Sequence, residues 1–227
     1  MKLILFDCDG TIVDSQHIIV AAMEAAFKGA GLPAPPRAHI LNVVGLSLVP
    51  AVAHLLPEDC DRDLAAKLAE AYKQGFHTLR GDPANHEPLY PGAREAIAAF
   101  AARDDVVLGV ATGKSRRGVD LLFEREGLSG LFATIQTADN HPSKPHPSMV
   151  LQALAETAAL PHQAVMIGDT TYDIQMARAA GVVPLGVAWG YHEAAALHSA
   201  GANCVLASYA DLPAAVDRIL GVRDTVS

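Results

Sequence analysis

Hydrophobic residues fall into short runs separated by polar turns. Lys2 to Phe6 is an apolar run that stops at Asp7, the pattern of a buried strand. Asp7 to Thr11 then reads as a loop, with Asp14 or Ser15 placed to cap a helix. Apolar positions repeat at helical spacing over about 16–30, and Gly29, Gly31 and Pro33 end the repeat. The stretch 32–39, LPAPPRAH, reads as a turn or linker. Ile40 to Leu79 predicts helical segments broken near Pro57 and Asp59, with no strand among them. After the turn Pro88–Gly92 the period changes. Helix is predicted over 93–102, strand over 106–111, helix from about Ser115, strand over 132–136 and helix over 147–159. Strand over 164–167, helix over 172–180, strand over 182–187 and helices near 193–199 and 209–220 follow.

Strand–helix alternation predicts the α/β class: a Rossmann-like, three-layer core with a parallel sheet between helices, interrupted by an inserted all-helical cap. Residues 1–15 and 87–227 would form the core domain and residues 16–86 the cap domain. A composition of 51% hydrophobic and 19% charged residues over 227 positions suits a packed protein. The formal net charge of -8, without a basic run, argues against nucleic acid and anionic membranes as partners. The cysteines Cys8, Cys60 and Cys204 form no CxxC pair, so neither a disulfide framework nor a zinc knuckle is indicated, and a reducing cytoplasm is the simplest location. The apolar run at the N-terminus is too short for a signal-peptide core or a membrane span. Monomer and homodimer both remain open.

Ligands of open parallel sheets bind beyond the carboxyl ends of the strands. The polar residues placed there are Asp7 and Asp9, then Thr112-Gly113-Lys114, then Lys144-Pro145 before a helix, then Asp169 and Asp173. Four carboxylates are hard oxygen ligands suited to Mg²⁺. Thr112, Lys144 and backbone N–H groups near Gly10 and Gly113 can donate to phosphate oxygens. A carboxylate held in line with phosphorus can act as nucleophile. Other patterns lead nowhere. Cys8 should point away from the flanking acids by alternation, His192 and His198 have the spacing HExxxxH rather than HExxH, and the loop from Gly109 to Ser115 has one residue too few for a P-loop. Trp189 reads as a packing residue.

The segments Asp7-Cys8-Asp9-Gly10-Thr11-Ile12-Val13-Asp14-Ser15, Val110-Ala111-Thr112-Gly113-Lys114, Ser143-Lys144-Pro145-His146-Pro147 and Gly168-Asp169-Thr170-Thr171-Tyr172-Asp173 together resemble the haloacid dehalogenase superfamily, in particular its phosphoglycolate phosphatase-like branch. The resemblance implies a phosphatase for small phosphorylated molecules, with Mg²⁺ as cofactor. It implies that Asp7 attacks phosphorus and that Asp9 protonates the leaving alcohol and then activates water. Asp7 and Asp169 would bind the metal by carboxylate and Asp9 by its backbone carbonyl, with Asp173 supporting that shell. Thr112 and Lys144 would hold the phosphoryl group, helped by Gly10 and Gly113. An acid at position 9 favours phosphate over halide substrates. Proximity to Asp7 and partial burial should raise the Asp9 pKa.

Competing readings are a β-phosphoglucomutase-like mutase, an inorganic pyrophosphatase, and a receiver domain that only accepts a phosphoryl group. The large insertion and the paired acids on the first strand speak against the last. The insertion should close over the site, with Gly45, Leu46 and Ser47 forming a substrate-facing loop. Lys28, Lys67 and Lys73 lie in the insertion without a recognised Schiff-base context. Arg37, His39, Lys73, His77 and Arg80 are candidate anion contacts that solvated helix faces would explain equally well.

Overall fold

Along the first strand Leu3 and Leu5 face one way and Ile4 and Phe6 the other, and all four are fully buried. Such a strand is covered on both faces. In this computed structural model, which describes residues 1–57 and 62–221, β1 (Lys2–Phe6) lies inside a six-stranded sheet. Its companions are β2 (Val106–Thr112), β3 (Thr134–Thr137), β4 (Ala164–Gly168), β5 (Val183–Val187) and β6 (Cys204–Leu206). The order is β3-β2-β1-β4-β5-β6, and every neighbouring pair is parallel. Ile4, Phe6, Val110, Val165 and Ile167 join one core with α5 (Ala93–Ala101), α6 (Arg116–Glu126) and α10 (Leu212–Gly221). Leu3, Leu5 and Met166 join a second core with α7 (Ser148–Thr157) and α8 (Thr171–Ala179). The last short helix is α9 (Ala194–Ala200). The expected three-layer α/β architecture is therefore observed.

Between β1 and β2 stand α1 (Gln16–Gly29), α2 (Arg37–Asn42), α3 (Leu48–Leu55) and α4 (Arg62–Arg80). They bury their own apolar cluster, which includes Ile19, Met23, Phe27, Ile40, Val52 and Leu68.

Three local expectations need correction. β6 was not expected: it is only three residues long and exists by pairing with β5, from Leu185↔Cys204 to Val187↔Leu206. α2 begins inside the stretch read as linker, because Pro36 has a turn-compatible φ of -57° and its carbonyl accepts from His39 N at 2.9 Å. Ser15 occupies the N-cap position of α1 without a side-chain cap bond; its hydroxyl is turned onto Asp9 instead. The break expected near Asp59, like Cys60, falls outside the described residues.

Candidate functional site

The chain runs from β1 outward through β2 and β3, then returns to place β4 on the other flank of β1. A crevice forms beyond the strand ends at such a reversal. Phe6 pairs with Ile167, and Asp7 N donates to Ile167 O at 2.9 Å, so Asp7 and Asp169 leave adjacent strands side by side. β2 flanks β1 on the other side and brings in Thr112 at its end. Oxygens of Asp7, Asp169 and Asp173, all buried, lie within 4.8 Å of one another. Lys144 Nζ stands 3.0 Å from Asp7 Oδ1 and 2.6 Å from Asp173 Oδ1. Segments remote in sequence thus meet at one point.

Each acid is fixed by a partner. Asp169 accepts from Thr11 Oγ1 at 2.9 Å and from Tyr191 N at 2.8 Å. Asp173 belongs to a capping box at the start of α8, accepting from Thr170 N at 3.1 Å and Thr170 Oγ1 at 2.7 Å. The pattern Thr170-x-x-Asp173 carried that signal in the sequence. Gly10, at φ +84°, crosses so close that a Cβ there would sit 2.1 Å from Asp169 Oδ2. Only glycine permits this approach.

Burial dominates the electrostatics. It raises the Asp7 carboxyl from 3.8 to about 6, against the opposing charge of Lys144. It also raises Asp169 well above the ordinary value, with Asp173 and Asp7 adding repulsion. Burial alone would depress Lys144, but the charges of Asp173 and Asp7 outweigh it and keep the ammonium protonated. Three carboxylates facing one lysine, which itself lies 3.0 Å from Asp7 Oδ1, form an all-oxygen pocket short of positive charge. Such a donor set suits a hard divalent cation.

Asp9 departs from expectation. Burial pushes its carboxyl up, but the adjacent Lys114 charge and hydrogen bonds from Lys114 and Ser15 outweigh this, so the pKa falls below the ordinary value rather than rising. Lys114 Nζ is 2.8 Å away and Ser15 Oγ 2.6 Å away. The sequence placed Lys114 in a strand-end loop but gave no sign of this pairing. Nor did it mark Glu87, which is fully buried and pairs with Arg80 at 2.7 Å, Lys114 at 3.5 Å and Arg125 at 3.5 Å.

Above the strand ends lies a cavity of about 680 Å³. Asp7, Asp9, Thr112, Gly113 and Lys114 line it on one side, and Gly45, Leu46, Ser47, Lys73, His77 and Arg80 on the other. Lys144, Asp169 and Asp173 do not line it; they are buried against Asp7. The loop 45–47 touches the sheet edge: a Cβ on Gly113 would meet Gly45 O at 2.7 Å, and Ser143 Oγ accepts from Ser47 N at 2.8 Å. Arg37 and His39 are not part of the cavity wall, and Arg37 bonds Gln16 instead.

Other singled-out residues are structural. Cys8 is fully buried in the core, where burial raises its thiol pKa. Trp189 packs on Tyr209 with ring centroids 4.6 Å apart and donates to Thr11 O. His192 accepts from Thr171 N at Nδ1 (3.2 Å), so its Nε2 carries the proton given to Asn42 O at 3.1 Å. Burial depresses its pKa, in keeping with a neutral ring.

The family model described as haloacid dehalogenase-like hydrolase matches residues 4–187. The chain is 31% identical over 220 residues to a "Probable phosphatase IndB" of Dickeya dadantii (strain 3937), covering 96% of this chain and 94% of that one. It is 29% identical over 217 residues to a "Phosphoglycolate phosphatase" of Yersinia pestis, covering 94% and 92%. Among solved structures, a hydrolase from Pseudomonas syringae superposes with a TM-score of 0.84 at 25% identity, covering 96% of this chain and 99% of that chain.

Proposed function

This chain belongs to the haloacid dehalogenase-like hydrolase family and is a phosphatase, and from that premise we propose that it hydrolyses a small organic phosphate monoester through a covalent phosphoryl group on Asp7, with Mg²⁺ as cofactor. The supporting observation is the meeting of Asp7, Asp169, Asp173 and Lys144 at the crevice between β1 and β4, beside the cavity.

In this reading a carboxylate oxygen of Asp7 attacks phosphorus as the bond to the ester oxygen breaks. Asp9 gives its proton to the departing alkoxide, which leaves as the alcohol. Asp9 then takes a proton from water, whose oxygen attacks phosphorus; the bond to Asp7 breaks and inorganic phosphate is released. Asp9 rests ionised against Lys114, so the proton for the first step enters with an ester that carries one on its phosphate. Lys144, Thr112 and the backbone N–H groups at Gly10 and Gly113 hold the phosphoryl oxygens. The Asp7 and Asp169 carboxylates and the Asp9 carbonyl would hold Mg²⁺, with Asp173 supporting them. When bound, the ion supplies the positive charge that brings an anionic phosphate next to three acids. Positioning and charge neutralisation are what phosphoryl transfer requires.

Residues 16–86 act as the cap domain over residues 1–15 and 87–227, and the loop Gly45-Leu46-Ser47 reads the substrate. Among the described residues no helix is long and apolar enough to cross a membrane, and we place the protein in the cytoplasm on its free cysteines. The test is phosphate release from a panel of monoesters, with and without EDTA. Metal-dependent release supports the reading. Isomerisation without release would mark a mutase, and single phosphorylation without turnover a receiver.

A further inference from the structure

The apolar character of the cavity narrows the substrate class. Resting on the phosphatase reading above, we propose that the preferred ester carries a ring-sized, largely apolar organic group, not a two-carbon acid.

Size is the first argument. A cavity of about 680 Å³ falls in the range of roughly 300–1,000 Å³ that ordinarily holds drug-sized ligands. A phosphorylated two-carbon acid leaves most of it unfilled.

The wall is the second. Tyr72 and Phe76 of α4 line the cavity as an aromatic pair with ring centroids 5.7 Å apart. Ile19 and Met23 of α1 line it too. Val49 of α3 is 44% exposed and Leu121 of α6 is 41% exposed. Both belong to the small set of exposed large hydrophobics among the described residues, and both line this cavity. Exposed apolar side chains gathered at a concave site mark a surface that a ligand covers.

Placement is the third. Lys114 Nζ lies 5.4 Å from the centroid of Phe76 and 2.8 Å from Asp9 Oδ1. The aromatic wall therefore stands next to the acid that protonates the leaving oxygen. The organic part of the ester extends from that oxygen, so it is directed onto Tyr72 and Phe76. A phenyl-sized ring there gains apolar and ring–ring contact that a short acid cannot.

The experiment compares kcat/KM for 2-phenylethyl phosphate, ethyl phosphate and phosphoglycolate on one preparation of the full chain with Mg²⁺. The first two release alcohols of similar basicity, so their ratio reports recognition of the ring. We expect 2-phenylethyl phosphate to exceed both others by about tenfold or more, the scale of a filled apolar pocket. Phe76→Ala should lower the phenylethyl-to-ethyl ratio by about tenfold; the ratio is independent of how much protein is correctly folded. Equal or better use of ethyl phosphate or phosphoglycolate overturns the inference and leaves the phosphatase reading intact. So does an unchanged ratio in Phe76→Ala. Failure to release phosphate from every ester overturns both.

Discussion

Asp7 and Asp169 are held in a neighbourhood that resists their charge. Asp7 titrates near 6 in the folded chain against an ordinary value of 3.8, so the fold prefers its protonated form. The stability associated with that proton is fully present below 3.8 and is lost as pH rises through about 6, a loss on the order of 3 kcal/mol for such a shift. Metal competes with protons for the same oxygens. Mg²⁺ should therefore raise the melting temperature, and by more at mildly alkaline than at mildly acidic pH, as differential scanning fluorimetry would show. An equal effect at both would separate the ion from these acids. Asp7→Asn should lower turnover by at least about a thousandfold. It should also leave the metal-free protein no less stable at alkaline pH, because it removes a buried charge; chemical denaturation checks the second half.

At the scale of elements, Glu87 ties the end of α4 to the core. It is fully buried, with Arg80, Lys114 and Arg125 around it. Glu87→Leu leaves Arg80, which is only 14% exposed, without the acid it pairs with and should cost about 3 kcal/mol in denaturant unfolding. His192 and Tyr172 both donate to the carbonyl of Asn42 at the end of α2, joining insertion to core. The folded His192 pKa lies below 6.5, so the unfolded chain binds the proton more readily. Its contribution is present above 6.5 and lost as pH falls below it. His192→Ala should cost about 1–3 kcal/mol at neutral pH and less in acid, measured by the same unfolding experiment. These links show where sequence reasoning stops. The strands around the site were legible because both faces of β1 and β4 are buried and their apolar runs end at aspartates. β6 was not, since three residues carry no periodicity. The pairing of Asp9 with Lys114 was not legible either: the two are 105 positions apart, and adjacency to Asp7 suggested the opposite pKa direction. The capping box at Thr170 and Asp173 was readable from its Thr-x-x-Asp spacing alone.

The whole molecule sets a lining on the insertion that is largely apolar and partly aromatic, but also carries Lys73, His77 and Arg80, against a charged floor on the sheet. Under the proposed function, substrate choice and chemistry fall to different parts of the chain. Exchanging the loop Gly45-Leu46-Ser47 for a sequence of different shape should change the ranking of esters more than the rate with the smallest one, as a substrate panel would reveal. In the proposed reaction the chemistry depends on Asp7 becoming phosphorylated. Rapid acid quenching during turnover with Mg²⁺, followed by peptide mass spectrometry, tests this most directly. The account predicts one phosphoryl group on the peptide containing Asp7, absent from the Asp7→Asn protein. Steady phosphate release with no such modification, or with the group on another residue, would contradict it.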